Sequence, residues 1–451
     1  MKRRLFFILF FIVFCLYGIC QDSSIDAPKE ESKPLVEQWK ETLLYGIADE
    51  ILPVIDKIKA TNEDSLYTEL VKVFSESINI DIRKKILALF SDNQYTPAKE
   101  PALKILENYD EESSELIVAV INYLAEINAI ESLELIESVI ESNQHVMASA
   151  ALGAISKMKA FSKEDYLLEK LKDDEFSEKI KPEIIRTLGD IKSQKAVEIL
   201  MGFLENTDEE KTWRLYSAES LGKIGDTRAL PLLKKVFEEK DALIKAYAAK
   251  ALSFFNMEEV IDILIQGLKD SNWKVRQASA EALANKDAAA AIEILKYKAK
   301  NDPVNRIKLE ALKALSAIGN QQCIDFLMTL FEDEKTALDL REQALSLVLE
   351  KNPAHALDGI NRVLEKDWTK KNTKALALNM VAKHVSSTKH NGLAPVYKKM
   401  LSHEYFLVRI FAIRGIVFNK MGGFRSELEA MLKSEKTENV KQEIERALDK
   451  L

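Results

Sequence analysis

A short repeat, which recurs without gaps every 31 residues in the middle of the chain, restricts the possible folds more strongly than any other property of this sequence. Three consecutive copies begin at Trp213, Ile244 and Val275. In each copy a basic residue follows the first apolar residue, a small residue comes fifth and an aliphatic residue comes ninth. The apolar, small and aliphatic residues are four apart, so they share one side of an α-helix. A turn and a second amphipathic segment follow, and the sequence therefore predicts stacked pairs of helices.

The repeat extends along most of the chain, in about twelve irregular copies. Its basic position recurs in register at Arg214, Lys245, Arg276, Lys308, Arg341, Lys374, Arg409 and Lys441. Only 14 glycines and 10 prolines occur among 451 residues, which is too few turn residues for an all-β chain. We predict an all-α fold with the repeats over 35–438 and a single capping helix over 439–451.

This repeat resembles the HEAT family, in the short form found in the phycobilisome lyases, and the characteristic marks of tetratricopeptide and ankyrin repeats are missing. The resemblance implies a right-handed α-solenoid. It also implies that the first helix of each pair lies on the convex side and that the second helix lines the concave side. Together with the N-terminus described next, it indicates a bacterial exported HEAT-repeat protein.

The first 20 residues have the pattern of an export signal. Three basic residues at 2–4 precede an unbroken apolar run, Leu5–Tyr17, and Gly18-Ile19-Cys20 fits a cleavage site before Gln21. We expect cleavage, a polar flexible linker over 21–34, and a mature protein in the periplasm or cell envelope. Acylation of Cys20, which would make a lipoprotein, and a retained membrane anchor are the alternatives. Loss of three basic groups changes the net charge from −8 to −11, which argues against a nucleic-acid partner.

Motifs for catalysis or metal binding are sparse in this sequence. The deoxyhypusine hydroxylases, which are similar in fold, hold two irons with several His-Glu pairs on successive repeats. Here only His403-Glu404 forms such a pair, and we interpret His403 as a surface residue of a turn. Cys323 falls on the buried side of a second helix and is interpreted as a core thiol. We predict no enzyme activity and no catalytic, cofactor or metal site; a lyase-like HEAT-repeat enzyme is the alternative.

The basic position in each first helix has two interpretations. A column of basic residues could bind nucleic acid, as in HEAT-like DNA glycosylases. The column also lies close to acidic linkers such as Glu238-Glu239, Asp270 and Asp302, where ion pairs would fix the stacking of the repeats. Because the position is periodic, we favour the structural role.

A partner-binding surface is predicted on the second helices, at the positions aligned with Lys234 and Lys235. These positions are Met201, Lys234, Lys235, Ile265, Gln266, Lys296, Tyr297, Met328, Thr329, Asn361, Arg362, Lys398 and Lys399. Apolar anchors among basic residues suit an acidic peptide or a partner helix. The alternative is a chance scatter of exposed apolar residues. The sequence thus favours a non-enzymatic protein-binding scaffold of the envelope over a cytoplasmic adaptor or a mechanical spacer.

Overall fold

The structure is a computed structural model that describes residues 34–142, 144–284, 286, 288–367 and 375–451, without the side chains of 365–367 and 375–377. Across these ranges the chain forms 26 α-helices and no strands, which confirms the all-α prediction. The predicted signal, Cys20, nearly all of the linker and the repeat position at Lys374 lie outside the described residues. No helix in the described part is long and apolar enough to cross a membrane.

The chain divides into two compact units, Met1–Asn93 and Gln94–Leu451. In the first unit the described helices are α1 (Leu35–Tyr45), α2 (Ala48–Thr61), α3 (Tyr67–Glu76) and α4 (Ile80–Asp92). Residues 35–77, at the start of the predicted repeats, hold three of these α-helices. The chain turns at Gly46-Ile47, where Glu50 accepts a hydrogen bond from the Ile47 N–H and a new helix begins.

The second unit alternates two kinds of helix. The first helices of the pairs, which carry the apolar–basic signature or its earlier and looser form, are α6 (Ser114–Glu126), α8 (His145–Lys157), α10 (Lys181–Asp190), α12 (Lys211–Ile224), α14 (Ala242–Leu252), α16 (Trp273–Ala284), α18 (Asn305–Ile318), α20 (Leu338–Lys351), α22 (Ala375–Ser386), α24 (Phe406–Phe418) and α26 (Glu438–Leu448). The second helices are α5 (Lys99–Glu107), α7 (Leu133–Ile140), α9 (Glu164–Lys172), α11 (Val197–Glu205), α13 (Leu230–Phe237), α15 (Glu258–Gly267), α17 (Ile292–Asn301), α19 (Gln321–Glu332), α21 (Pro353–Asp367), α23 (Ala394–Leu401) and α25 (Arg425–Ser434).

In chain order, α2 to α25 make twelve first-and-second pairs, which agrees with the predicted number of repeats. The stripe that defines the repeat is buried as expected. In α12, for example, Trp213, Ser217 and Leu221 are all buried. The helix then ends at Gly225, which adopts a left-handed conformation with φ of 76°. The fold is an α-solenoid, as the repeat and its resemblance predict.

Successive first helices pack much more closely than successive second helices. Small residues make this possible: a Cβ on Gly222 would lie 2.6 Å from the Cα of Ala251, and one on Gly189 would lie 2.7 Å from the Cα of Ser220. The first helices therefore form the more closely packed of the two rows in this unit.

Candidate protein-binding surfaces

Four basic residues of the repeat are engaged in ion pairs within the array. Three arginines make two-pronged pairs with acids 25 or 26 positions later, namely Arg214 with Glu239, Arg276 with Asp302 and Arg409 with Glu435. Lys245 pairs with Asp270 in the same way. The predicted contacts with acidic linkers are confirmed at Glu239, Asp270 and Asp302.

These pairs are more buried than the sequence suggested. In the most buried one the Nε and Nη2 atoms of Arg276 each lie 2.9 Å from an oxygen of Asp302, whose side chain is fully buried. Burial alone would raise the pKa of Asp302, but the hydrogen bonds from Arg276, the Val304 N–H and Lys298 outweigh it and hold the pKa below its ordinary value. The arginines therefore act as clamps between neighbouring repeats.

Basic residues of the predicted second-helix surface are also paired, with acids on adjacent second helices. Lys235 of α13 lies 2.9 Å from Glu205 of α11, and Lys234 of α13 lies 2.5 Å from Glu259 of α15. Their long side chains span the wider gap between the second helices. Because these charges are already compensated, the attraction for an acidic peptide is weaker than the sequence implied.

Later in the array the same arrangement recurs. The Arg362 guanidinium of α21 makes two hydrogen bonds, of 2.8 and 2.7 Å, to the Glu332 carboxylate of α19. Lys296 pairs with Glu293 of its own helix at 3.0 Å and lies 5.8 Å from the centre of the Phe326 ring. Surface positions of the second helices therefore contribute to contacts along the stack.

The apolar members of the predicted surface differ in exposure. Tyr297 is 61% exposed, as expected, and Met201 and Ile265 are half-buried. Met328 is only 6% exposed, so its interpretation as a surface anchor is wrong. Its methyl group fills the space beside Gly359 of α21, which lacks a Cβ at that point.

Two cavities bring some of these residues together. A cavity of about 480 Å³ between α19 and α21 is lined by Met328, Thr329 and Arg362, and by Asp325 and His355. Lys398 lines another, of about 380 Å³, between α23 and α25. The remaining predicted positions, Gln266, Asn361 and Lys399, line neither of these cavities.

A second surface, which was not predicted from the sequence, lies on the side of the first helices that faces away from the second helices. We call it the first-helix face and define it by Arg186 of α10, by Tyr216, Glu219 and Lys223 of α12, and by Tyr247 and Lys250 of α14. Tyr216, Glu219 and Lys223 are spaced three and four residues apart, so they share one side of α12, and Tyr216 and Lys223 are half-buried there. The Arg186 guanidinium lies 5.3 Å from the centre of the Tyr216 ring.

The charges of the first-helix face form a chain of ion pairs across three helices. Lys223 lies 2.7 Å from Asp190 and 3.2 Å from Glu219, which in turn lies 2.8 Å from Lys250. Burial tends to raise the pKa of Glu219, but the two lysines outweigh it and lower the pKa. Burial, and to a smaller extent the negative charge of Glu219, raises the pKa of Tyr247. The hydroxyl of Tyr247 therefore stays protonated and can donate a hydrogen bond.

A groove of about 600 Å³ lies next to these residues, over α8 and α10. Its floor is formed by Ser149, Gly153 and Ser156 of α8, and its walls include Glu183 and Arg186. A Cβ placed on Gly153 would meet no atom within 4 Å, so this part of the floor is open. The small floor residues leave room for an incoming backbone or side chain.

The described residues offer no metal site, because no group of three or more His, Cys, Asp or Glu side chains is placed to hold an ion. Cys323 is buried, which confirms its interpretation as a core thiol, and burial raises its pKa. His403 is also buried, so its interpretation as a surface residue is wrong. Its Nδ1 accepts a hydrogen bond from the Tyr405 N–H, and burial lowers its pKa.

The paired helices, the clamps between repeats and the two helix rows define an α-solenoid protein of the HEAT-repeat class. Residues 43–447 match the family described as spirochaete HEAT repeat protein. The match covers most of the sequence, and the chain belongs to this family.

Similarity to other proteins is lower. The deoxyhypusine hydroxylase of Debaryomyces hansenii is 37% identical over 79 residues, which are 18% of this chain and 25% of that protein. The chain thus spans about a quarter of the length of this hydroxylase. The uncharacterized phycocyanin operon protein Z of Pseudanabaena tenuis is 24% identical over 169 residues, 36% of this chain and 82% of that protein.

Among solved structures, yeast importin-β (Kap95p) has a TM-score of 0.54 at 13% identity, over 88% of this chain and 64% of that chain. The Kap95:Nup1 complex gives a TM-score of 0.51 at 14% identity, over 91% and 64%. At this level of identity the likeness concerns the fold alone.

Proposed function

We propose that the protein is a non-enzymatic, protein-binding scaffold that is exported to the bacterial cell envelope, and that its partner binds along the first-helix face. The observation that carries this proposal is the grouping of Arg186, Tyr216 and Tyr247 beside the open groove over α8 and α10. Tyrosine and arginine are the residues that most often dominate the energy of protein interfaces. A solenoid of similar fold forms a complex with Nup1, which supports a role in binding proteins.

The chemistry of the surface indicates the kind of partner. Ion pairs compensate most charges of the first-helix face, so a partner gains little from a strong opposite charge. Affinity would come from contacts with the two tyrosines and from hydrogen bonds to the Arg186 guanidinium and the Tyr247 hydroxyl. A peptide or partner helix with small or apolar side chains fits the shallow groove floor at Gly153.

Export and the absence of catalysis are parts of the same proposal. The basic residues at 2–4 and the apolar run Leu5–Tyr17 support export, and sequencing the N-terminus of the native protein tests it. Gln21 or an acylated Cys20 is the expected first residue, whereas Met1 would contradict export.

Cys323 is buried and His403 makes a backbone contact, so neither is poised as a nucleophile or a base.

The binding surface is tested by crosslinking in the native cells. Tyr247 and Tyr297 are each replaced, in separate variants, by a photoreactive phenylalanine derivative, so that the two exchanges are chemically matched. Tyr247 lies on the first-helix face and Tyr297 on the predicted second-helix surface. We expect a discrete protein adduct from position 247 and none from position 297.

Each other outcome contradicts a defined part of the proposal. An adduct from position 297 alone would place the partner on the second helices. If neither folded variant gives an adduct, the protein does not act as a scaffold through either surface. Circular dichroism of both purified variants confirms that the exchanges leave the solenoid intact.

A further inference from the structure

Exposed apolar side chains are concentrated in the first unit, at one edge of its helices. Of the fourteen large apolar side chains that are exposed in the described part of the chain, six lie within 34–93. Five of these six lie in or directly beside the connections between α1 and α2 and between α3 and α4. We call them the apolar edge: Leu44, Tyr45, Ile47, Ile78 and Ile80. Tyr45 is 84% exposed, Ile47 66% and Ile78 96%.

The topology explains why these five residues lie together. Helices α1 and α2 are joined by a short turn and pack together, as are α3 and α4, and α1 packs against α3. The α1–α2 and α3–α4 connections therefore lie at the same edge, and α2 packs against α4. Ile47 is the residue directly before the first turn of α2. Asn79, which follows Ile78, is the residue directly before the first turn of α4.

Local structure does not require these apolar residues. An apolar residue before a helix cap commonly packs against the fourth residue of the helix. Ile78 occupies that place before α4, but the fourth residue is Arg83, and Ile78 remains almost fully exposed. The conformation of the turn depends instead on Asn79, whose side chain accepts a hydrogen bond from the Ile82 N–H.

Acidic residues surround the apolar edge. Asp49 and Glu50 lie in the first turn of α2, and Asp81 lies in the first turn of α4. Such acids stabilise the helix N-termini, and they also give this edge a negative potential. Residues 34–93 as a whole carry eleven acidic and seven basic side chains. An apolar centre with an acidic rim matches a ligand of apolar residues flanked by basic ones.

We infer that the apolar edge is a second binding surface, and that it takes a segment of another protein in which apolar side chains are flanked by Lys or Arg. This surface is additional to the first-helix face and does not depend on the function proposed for that face. Tyr45, Ile47 and Ile78 supply the apolar contacts, and Asp49, Glu50 and Asp81 select the basic flanks. The charge pattern disfavours an anionic lipid surface, which the acidic rim repels.

The test uses the purified full chain and two synthetic peptides labelled with a fluorophore. One is an amphipathic helix of Leu and Lys, and the other is its Leu and Glu counterpart. Binding is followed by fluorescence anisotropy at moderate salt. We expect the basic peptide to bind, and the double variant Tyr45→Ser with Ile78→Ser to weaken it about tenfold through the loss of two apolar contacts. Phe161→Ser is the control, since Phe161 is also an exposed apolar residue (58%) but lies in the second unit.

Several outcomes would overturn the inference. Equal affinity of the double variant would show that the basic peptide binds by charge alone, elsewhere on this acidic chain. Binding of the acidic peptide with similar affinity would show that Asp49, Glu50 and Asp81 do not select basic residues in the ligand. Sedimentation that shows self-association dependent on Ile78 would identify a second copy as the occupant. Stronger binding after removal of residues 1–33 would identify the chain's own N-terminal segment.

Discussion

The close packing of the first helices predicts that replacing two glycines with alanine has opposite effects on stability, because their surroundings differ. Gly222 of α12 and Gly153 of α8 both lie inside first helices. A Cβ on Gly222 would lie 2.6 Å from the Cα and 2.9 Å from the Cβ of Ala251, whereas a Cβ on Gly153 would meet nothing within 4 Å. We predict that Gly222→Ala destabilises the protein and that Gly153→Ala stabilises it.

The magnitude follows from two effects of opposite sign. Replacing a helical glycine with alanine stabilises the helix by about 1 kcal/mol, and this gain is common to both variants. At Gly222 the nearest atom is a backbone atom, so the new methyl group must push α12 and α14 apart. Overpacking of this kind costs about 1–3 kcal/mol. The difference in stability between the two variants should therefore be about 1–3 kcal/mol, in favour of Gly153→Ala.

Urea unfolding followed by circular dichroism compares the two variants under identical conditions. Repeat arrays can unfold in parts, so hydrogen exchange of the α12 and α14 amides should accompany it. We expect a lower midpoint and faster exchange around Ala251 for Gly222→Ala only. Equal stabilisation by both substitutions would refute the reasoning, because it would mean that the first helices have room to spare and do not form the closely packed row.

Three further predictions concern the core and the clamps. Arg276→Leu should cost about 3 kcal/mol because it leaves the buried Asp302 carboxylate with a single basic partner, whereas Arg228→Leu, at an exposed pair, should leave the midpoint of the same urea titration nearly unchanged. Leu252→Asp should unfold the array locally, with a loss above about 4 kcal/mol and fast amide exchange in α14; a change of less than 1 kcal/mol would contradict it. In the folded protein the pKa values of Asp302 and Glu435 are lower than in the unfolded chain, so these carboxylates stabilise the fold at pH values above the unfolded pKa of about 4. The stability should therefore fall as the pH drops from about 4 through the lower folded pKa values. Thermal melting curves recorded at a series of pH values measure this fall.

Much of the fold could be predicted because the repeat reflects the periodicity of an α-helix, which is a local property of the sequence. The stripe of Trp213, Ser217 and Leu221 recurs at helical spacing, and the copies from Ile244, Val275 and Ile307 bury the same positions. The clamps could be predicted for the same reason, since a basic residue and an acid such as Asp302 recur in register. The buried stripe and the clamps thus recur in the structure where their residues recur in the sequence.

The close packing of the first helices was not predicted, because it depends on the spacing between helices. The sequence nevertheless contains the signal: first helices hold small residues such as Ala218, Gly222 and Ala251, whereas a second helix such as α13 holds Leu, Lys, Val and Phe. Small side chains allow closer approach, and a comparison of side-chain size between the rows would have pointed to the first-helix face.

Errors at single residues arise from contacts between elements. Met328 follows the alignment of surface positions but fills the gap left by Gly359 on the next second helix. His403 lies in a connection, where exposure is usual, yet it is buried and its carbonyl accepts a hydrogen bond from Arg409. Both depend on a neighbour that the local sequence does not identify.

The clamps and the close packing of the first helices together explain why a binding surface can form on these helices. Buried pairs such as Arg276 with Asp302 fix each first helix to the connection that follows the next second helix, and contacts such as Gly222 with Ala251 fix it to the next first helix. Side chains that cross from helix to helix, such as Arg186 over Tyr216, are thereby held in place before a partner arrives. A partner that binds preformed groups loses less conformational entropy on binding. Loosening this row by Gly222→Ala should therefore weaken binding at Tyr247 even though no contact residue is changed.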